Sequence, residues 1–349
     1  MPRRRLSERQ RERIQAIQER RRERLASRTD AVLDELDADV VGAEADNGVG
    51  VGAPQSGLIV VRHGAHLAVE DAAGALHHCV ARRNLGHPVC GDRVVWQPTE
   101  SGQGIVTALA PRDNVLSRPD YSGHAKPLAA NLTLMAVVVA PEPPPSGYLL
   151  DQYLVAAELI GVRALIVAAK MDLLDDAGRA RFLAALAPYP ALGYPLCPIS
   201  IHGPPGTGAL TRHLAGETAI LLGQSGVGKS SLVQALLPDQ EIQIGRLSTA
   251  TGLGRHTTSA ATCYRLPGSD GGRLIDSPGV RSFRVSGLTQ AELEAGFPEL
   301  RPLHGGCRFR DCRHQNEPDC AVRAAAAAGA IDPGRLTRFL QLRDGLVDT

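Results

Sequence analysis

Residues 223–231 read Gly-Gln-Ser-Gly-Val-Gly-Lys-Ser-Ser, between the apolar run 218–222 and a helix-forming stretch at 229–237. A glycine loop joining a buried strand to a helix turns successive backbone N–H groups toward one point. The helix N-terminus adds its positive dipole there. Such a cradle fits phosphate, and a parallel α/β sheet is the usual frame that holds it. In this pattern Lys229 is expected to reach the β- and γ-phosphates, and the Ser230 hydroxyl to hold Mg²⁺. Gly223, Gln224, Ser225, Gly226, Val227, Gly228 and Ser231 complete the expected cradle. Composition sharpens this reading: of 38 basic residues only Lys126, Lys170 and Lys229 are lysines. A slim ammonium enters a phosphate cradle where a planar guanidinium fits poorly.

The α/β pattern extends upstream of the loop. Runs 132–140, 164–169 and 196–199 are short and apolar, as buried strands are, and 148–160 and 178–186 have helical period. Ala169-Lys170-Met171-Asp172 ends the second run. A carboxylate at Asp172 can accept from guanine N1–H and the exocyclic amine, a donor pair that adenine lacks. The Lys170 stem would pack along the base. Ser200, after the run 196–199, is placed to bring a backbone N–H near the guanine carbonyl. Ala169 stands where the N-K-x-D form of this loop has asparagine, so weaker affinity is expected, with guanine preference kept.

Downstream, Asp276-Ser-Pro-Gly279 follows a strand at 272–275. Asp276 is expected to hold the metal through water, and the Gly279 amide to face the γ-phosphate. The intervening stretch 252–258, Gly-Leu-Gly-Arg-His-Thr-Thr, offers Thr257 as a further Mg²⁺ ligand, with Thr258 the alternative. A glycine loop alone leaves ATPases and small-molecule kinases open; Asp172 and the lack of an evident lid or acceptor site count against both. The base-reading loop here precedes the phosphate loop, the reverse of the usual GTPase order. The domain is therefore expected to be circularly permuted, which a fold tolerates when its old termini lie close together.

The flanks differ in texture. Residues 1–28 carry eleven arginines against four glutamates, and 30–46 carry seven acids and no base. We expect 1–55 to be an arm and linker disordered by composition, with the arm adding electrostatic affinity for RNA. Five short β-type runs (58–62, 66–69, 76–82, 92–97, 104–109) suit a small barrel, an OB-fold as first choice, over 56–118. The GTPase domain is expected at 125–285 and a helical zinc-binding domain at 286–349. In the latter, Cys307-x4-Cys312-x-His314-x5-Cys320 groups three thiols and an imidazole, a set that suits one closed, structural Zn²⁺. Cys79, Cys90, Cys197 and Cys263 read as small buried residues. A net charge of +1 names no partner, and no apolar run is long enough to span a membrane. A monomer in the cytoplasm is expected.

The permuted order, the Gly-Gln-Ser-Gly-Val-Gly-Lys-Ser loop, Gly254-Arg-His-Thr-Thr258, Asp276-Ser-Pro-Gly279 and the cysteine cluster together resemble the RsgA family. These are bacterial, circularly permuted GTPases of small-ribosomal-subunit biogenesis, and the resemblance spans about 57–349. It implies an OB-fold, GTP hydrolysis stimulated by the small subunit, and a role in that subunit's late maturation. Val280 occupies the place where many GTPases keep a water-orienting glutamine. His256 is the nearest polar candidate for that task, a role the resemblance also suggests. The competing reading is an RNA-binding or RNA-remodelling protein in which nucleotide is structural.

Overall fold

The short β-type runs of the N-terminal part close on themselves. The structure, a computed structural model, describes residues 52–82, 85–100, 102–119, 125–239, 261–268, 270–277 and 288–347. Within it β1 (Gln55–His63), β2 (His66–Asp71), β3 (Leu76–Ala81), β4 (Arg93–Pro98) and β5 (Gly104–Leu109) run in the order β1-β2-β3-β5-β4. Pairing of β4 with β1 closes the ring, and β3 with β5 is its parallel pair. This is the expected five-stranded barrel of OB type. Ile59, Leu67, Val69, Val94, Trp96 and Val106 fill it. Gly104 is required by that filling: a Cβ there would lie 2.4 Å from Cys79 Sγ and 2.8 Å from the Trp96 ring.

A hairpin of β6 (Val115–Pro119) and β7 (Ala125–Ala130) follows. Sequence reading left it out, because Pro119 and Pro127 break the strand pattern.

The apolar runs beyond it form a sheet with β11 (Thr218–Leu222) between β8 (Leu134–Val139) and β13 (Arg273–Asp276). On the β8 side lie β9 (Arg163–Ala168) and β10 (Leu196–Pro198), and β12 (Ala261–Arg265) lies beyond β13. Pairs are parallel throughout except β12 with β13. Every residue of β8 is buried, as expected for a parallel strand covered on both faces. The covering helices include α1 (Gly147–Leu159), α2 (Asp176–Ala185), α3 (Pro188–Ala191), α4 (Gly208–Leu214) and α5 (Lys229–Leu236). Ser146 caps α1 by accepting from the Leu149 N–H, and Asp175 caps α2 from Gly178.

The barrel and this sheet are continuous, which the division into successive domains did not foresee. Strand β12 pairs antiparallel with β1 (Val61 opposite Thr262, Arg62 opposite Ala261), giving one 11-stranded sheet. Without β1, the outer edge of β12 would leave backbone groups unpaired. Charge reinforces the seam. Buried Glu70 of β2 accepts from Arg265 of β12 and from Arg273 of β13. Burial alone would raise the Glu70 pKa, but the two guanidinium groups outweigh it and hold it below 4.5.

The C-terminal part packs α6 (Gln290–Ala295), α7 (Ala321–Ala327) and α8 (Pro333–Val347) around Leu293, Phe297, Leu300, Val322, Ile331 and Phe339. Val155 of α1 belongs to this core. Beside it, fully buried Asp151 of α1 accepts from the Tyr189 hydroxyl at 2.9 Å, from Arg335 at 2.7 Å and from Arg338. Arg335 also forks onto Glu299 at 2.7 and 3.0 Å. The arm at 1–51, the loop with His256, Thr257 and Thr258, and Gly279 with Val280 lie outside the described residues.

Glu70→Gln should destabilise the protein by about 2 kcal/mol at pH 7, the scale of a charge-assisted hydrogen bond lost from a buried site. A carboxylate with a lowered folded pKa stabilises above its unfolded pKa and loses that contribution as pH falls through the folded value. Urea unfolding of both proteins should therefore show the gap narrowing as pH drops below 4.5.

Candidate nucleotide and metal sites

The phosphate loop leaves the carboxyl end of β11, and its first glycine lies against β8. A Cβ on Gly223 would sit 2.3 Å from the Val138 carbonyl oxygen, and its φ is +136°. Gly226 and Gly228 also have positive φ, at 85° and 99°. Lys229 opens α5, and its Nζ donates to the Gly223 and Gln224 carbonyls, both at 2.6 Å. Ser225, Ser230 and Ser231 are exposed, while Val227 is fully buried and pins the turn. Asp276 ends β13, one strand over, with its neighbour Ile275 in register with Ile220. It is exposed at the same sheet edge as the loop.

The base-reading loop meets the phosphate loop across a cavity of about 210 Å³. Ala169, Lys170, Asp172, Ile201 and His202 line one side, and Val227, Gly228 and Ser231 the other. Met171 is buried beneath, with its N–H donating to Ile199 and its carbonyl accepting from Arg179. Lys170 adopts φ 58° and donates from Nζ to the Glu142 carbonyl and to the Gly226 carbonyl, each at 2.7 Å. This clamps one loop to the other. Ala169 is buried and its N–H donates to Val139 at 2.8 Å.

Asp172 accepts from the Ser200 hydroxyl, which holds its pKa below the ordinary 3.8. It is thus a carboxylate at neutral pH, as pairing with two guanine donors requires. The Ser200 backbone N–H, read for the guanine carbonyl, donates to Gly206 at 3.3 Å in this structure, and its hydroxyl adds a contact to Asp172 that was not read. His202 lines this cavity and was missed; a histidine four residues past a short strand carries no signal in sequence.

The cysteine cluster closes around a point. The ligand atoms of Cys307, Cys312, His314 and Cys320 all lie within 4.8 Å of one another. Cys307 Sγ is 3.9 Å from Cys320 Sγ and 3.6 Å from His314 Nδ1, and His314 Nδ1 is 3.3 Å from Cys320 Sγ. A tetrahedral zinc with Zn–S near 2.3 Å and Zn–N near 2.0 Å puts its ligands roughly 3.5–3.8 Å apart, so the donor set fits. Glu294 hydrogen-bonds His314 Nε2 at 3.1 Å, turning Nδ1 toward the thiols. That contact raises the His314 pKa to about 9. Glu294 was not anticipated, since it comes from α6, twenty residues before the imidazole it orients. Cys79, Cys90, Cys197 and Cys263 are buried, as expected, and burial pushes each thiol's pKa up.

Comparison with known proteins agrees with this geometry. The RsgA GTPase family model matches residues 109–286. A small ribosomal subunit biogenesis GTPase RsgA from Marinobacter nauticus is 42% identical over 354 aligned positions, covering 100% of this chain and 97% of that protein. The chain belongs to the RsgA GTPase family. An RsgA of the same description from Alcanivorax borkumensis is 45% identical, covering 99% of this chain and 97% of its own. Among solved structures, YjeQ from Thermotoga maritima superposes with a TM-score of 0.69 at 29% identity, over 85% of this chain and all of that one. YloQ, a circularly permuted GTPase, gives 0.66 at 27% identity, over 85% of this chain and 96% of that one. As an RsgA-family member the chain is a GTP-hydrolysing enzyme, and its fold is a barrel, a permuted GTPase sheet and a C-terminal cysteine-cluster domain.

In this RsgA-family site, Asp172→Asn should weaken GTP and favour xanthosine triphosphate, whose extra carbonyl accepts from the new amide. Competition binding checks it, with unchanged GTP preference as the contrary result. Lys229→Ala should lower turnover by at least tenfold, or about 1.4 kcal/mol of barrier, read in single-turnover hydrolysis.

Proposed function

We propose that this chain is a GTPase of small-ribosomal-subunit biogenesis. It binds the subunit in the GTP state, acts in late maturation and leaves on hydrolysis. The names of the full-length relatives support the role. The observation that carries the mechanism is the seam between β1 and β12. Ala261, the first described residue after the loop with His256 and Thr257, pairs with Arg62 of the barrel and accepts from the Cys90 thiol at 3.1 Å. At the other edge of β12, Thr262 lies opposite Asp276. A load on the barrel therefore reaches both segments expected to close on the γ-phosphate.

In this reading the phosphate-loop amides and Lys229 bind the phosphates, Asp172 selects guanine, and Ser200 keeps Asp172 charged and aimed. Ser230 and Thr257, with Asp276 through water, would hold Mg²⁺, which would supply neutralisation of phosphate charge. Val280 has no group to orient water. His256 is assigned that task, completed when the docked subunit brings it to the attacking water. Cys307, Cys312, His314 and Cys320 would hold one structural zinc that would stiffen the C-terminal domain, with Glu294 orienting the imidazole. The arginine arm at 1–28 adds affinity for rRNA phosphates.

The enzyme is assigned to the cytoplasm and to a monomeric state. Among the described residues no helix is long and apolar enough to cross a membrane.

Co-sedimentation with purified small subunits tests the switch. The protein loaded with a non-hydrolysable GTP analogue should bind at least tenfold more tightly than with GDP, because a switch needs differential affinity between its states. Equal binding in both states would favour the RNA-binding reading. Elemental analysis should find one zinc per chain, lost on Cys307→Ser or Cys320→Ser; protein purified without chelator and free of zinc would contradict the assignment. Affinity for metal should fall with acidity, since protons compete for the thiolates and the imidazole.

A further inference from the structure

Helix α1 is shared by the phosphate loop and the C-terminal domain. Residues Leu150 to Ala157 of α1 are all buried, so the helix lies enclosed between its neighbours. On one side it grips the loop at two points. The Ser146 N–H, at the cap, donates to Gln224 Oε1 at 3.0 Å. Almost two turns on, the buried Tyr153 hydroxyl is hydrogen-bonded to the Gly223 backbone. On the other side it holds the C-terminal domain at two points. Asp151 takes Arg335 and Arg338 of α8, and Val155 inserts into that domain's core. The fit is close: a Cβ on Gly296 would meet Val155 Cγ1 at 2.6 Å, and one on Gly147 would meet Arg338 Cδ at 3.1 Å.

The two residues that α1 grips are also those whose carbonyls Lys229 holds. In the structure Lys229 Nζ is bonded to the Gly223 and Gln224 carbonyls. To reach the phosphates, that ammonium has to leave both carbonyls or share itself with them. The two residues relieved of its charge are the two held by Tyr153 and Ser146.

We propose that Tyr153 and Gln224 are positioning residues that tie the phosphate loop to helix α1, so that nucleotide binding and the seating of the C-terminal domain are set together. Asp151 and Val155 carry the coupling from the far side of the same helix. This route is separate from the β1–β12 seam. It rests on the nucleotide site alone and needs no ribosomal partner.

Hydrogen–deuterium exchange on the full chain, purified with its metal, tests the proposal with and without saturating GDP. In the native protein GDP should slow exchange at least threefold in 147–159 and in 333–347, beyond the slowing in the phosphate loop. Tyr153→Phe removes only the hydroxyl, and Gln224→Met removes the acceptor at similar size. With GDP occupancy confirmed by fluorescence titration, each should reduce the change in 333–347 to less than half. Gln224→Glu keeps an acceptor for the Ser146 N–H and should restore it, which a purely structural defect would not do. Asp151→Asn should cut the response in 333–347 while keeping that in 147–153. Should that variant lose its C-terminal fold, the Tyr153 and Gln224 variants still decide the matter. A GDP response confined to 223–236 and 169–173, or one of equal size in all variants, overturns the proposal. Because no subunit is present, the result is independent of whether the protein acts on ribosomes.

Discussion

The close approach of Gly223 to Val138 is the constraint on which the rest of the site depends. With 2.3 Å between a virtual Cβ and the Val138 oxygen, only glycine lets the chain turn directly off β11. That turn points the loop amides at the carboxyl edge of the sheet. It also lays Gly223 under Tyr153 and Gln224 under Ser146, and sets the Gly226 carbonyl where Lys170 can clasp it. The base cavity, the cradle and the grip of α1 are consequences of one backbone contact between adjacent parallel strands.

Permutation gives this arrangement its wiring. In chain order the base-reading strand β9 comes before the phosphate strand β11, and β8 lies between them in the sheet. What permutation changes is which element leads outward. Asp276 ends β13 just before the chain departs for the C-terminal domain, and β12 returns alongside the barrel through β1. Each flanking domain is thereby bonded to a strand or helix that borders the candidate nucleotide site, with Glu70 bridging one seam and Asp151 the other. Buried charges at both seams favour one registry over others, because an alternative seating would leave them unpaired.

Much of this was legible in sequence, for a physical reason. Glycine loops, fully apolar strands and clustered thiols report their own local chemistry: Thr218–Leu222, Gly104–Leu109, the phosphate loop and the ligands Cys307 to Cys320 stand in the structure at the positions read. Contacts between distant segments left no such mark. The pairing of β1 with β12 joins residues about 200 apart, and nothing in Val61 or Thr262 announces it. Glu294 looks like any surface acid of a short helix until His314 is brought to it. The hydroxyl contact of Ser200 with Asp172 also left no mark, because it depends on how the following turn to Gly206 holds the residue. Tyr153 read as one more residue of an apolar helix.

The central claim is that this family member hydrolyses GTP under the control of a docked partner. GTP turnover titrated with purified small ribosomal subunits tests it most directly. The account predicts acceleration of at least tenfold that saturates with subunit and disappears in His256→Ala, while that variant still binds GTP. Turnover that stays flat across the titration would contradict it.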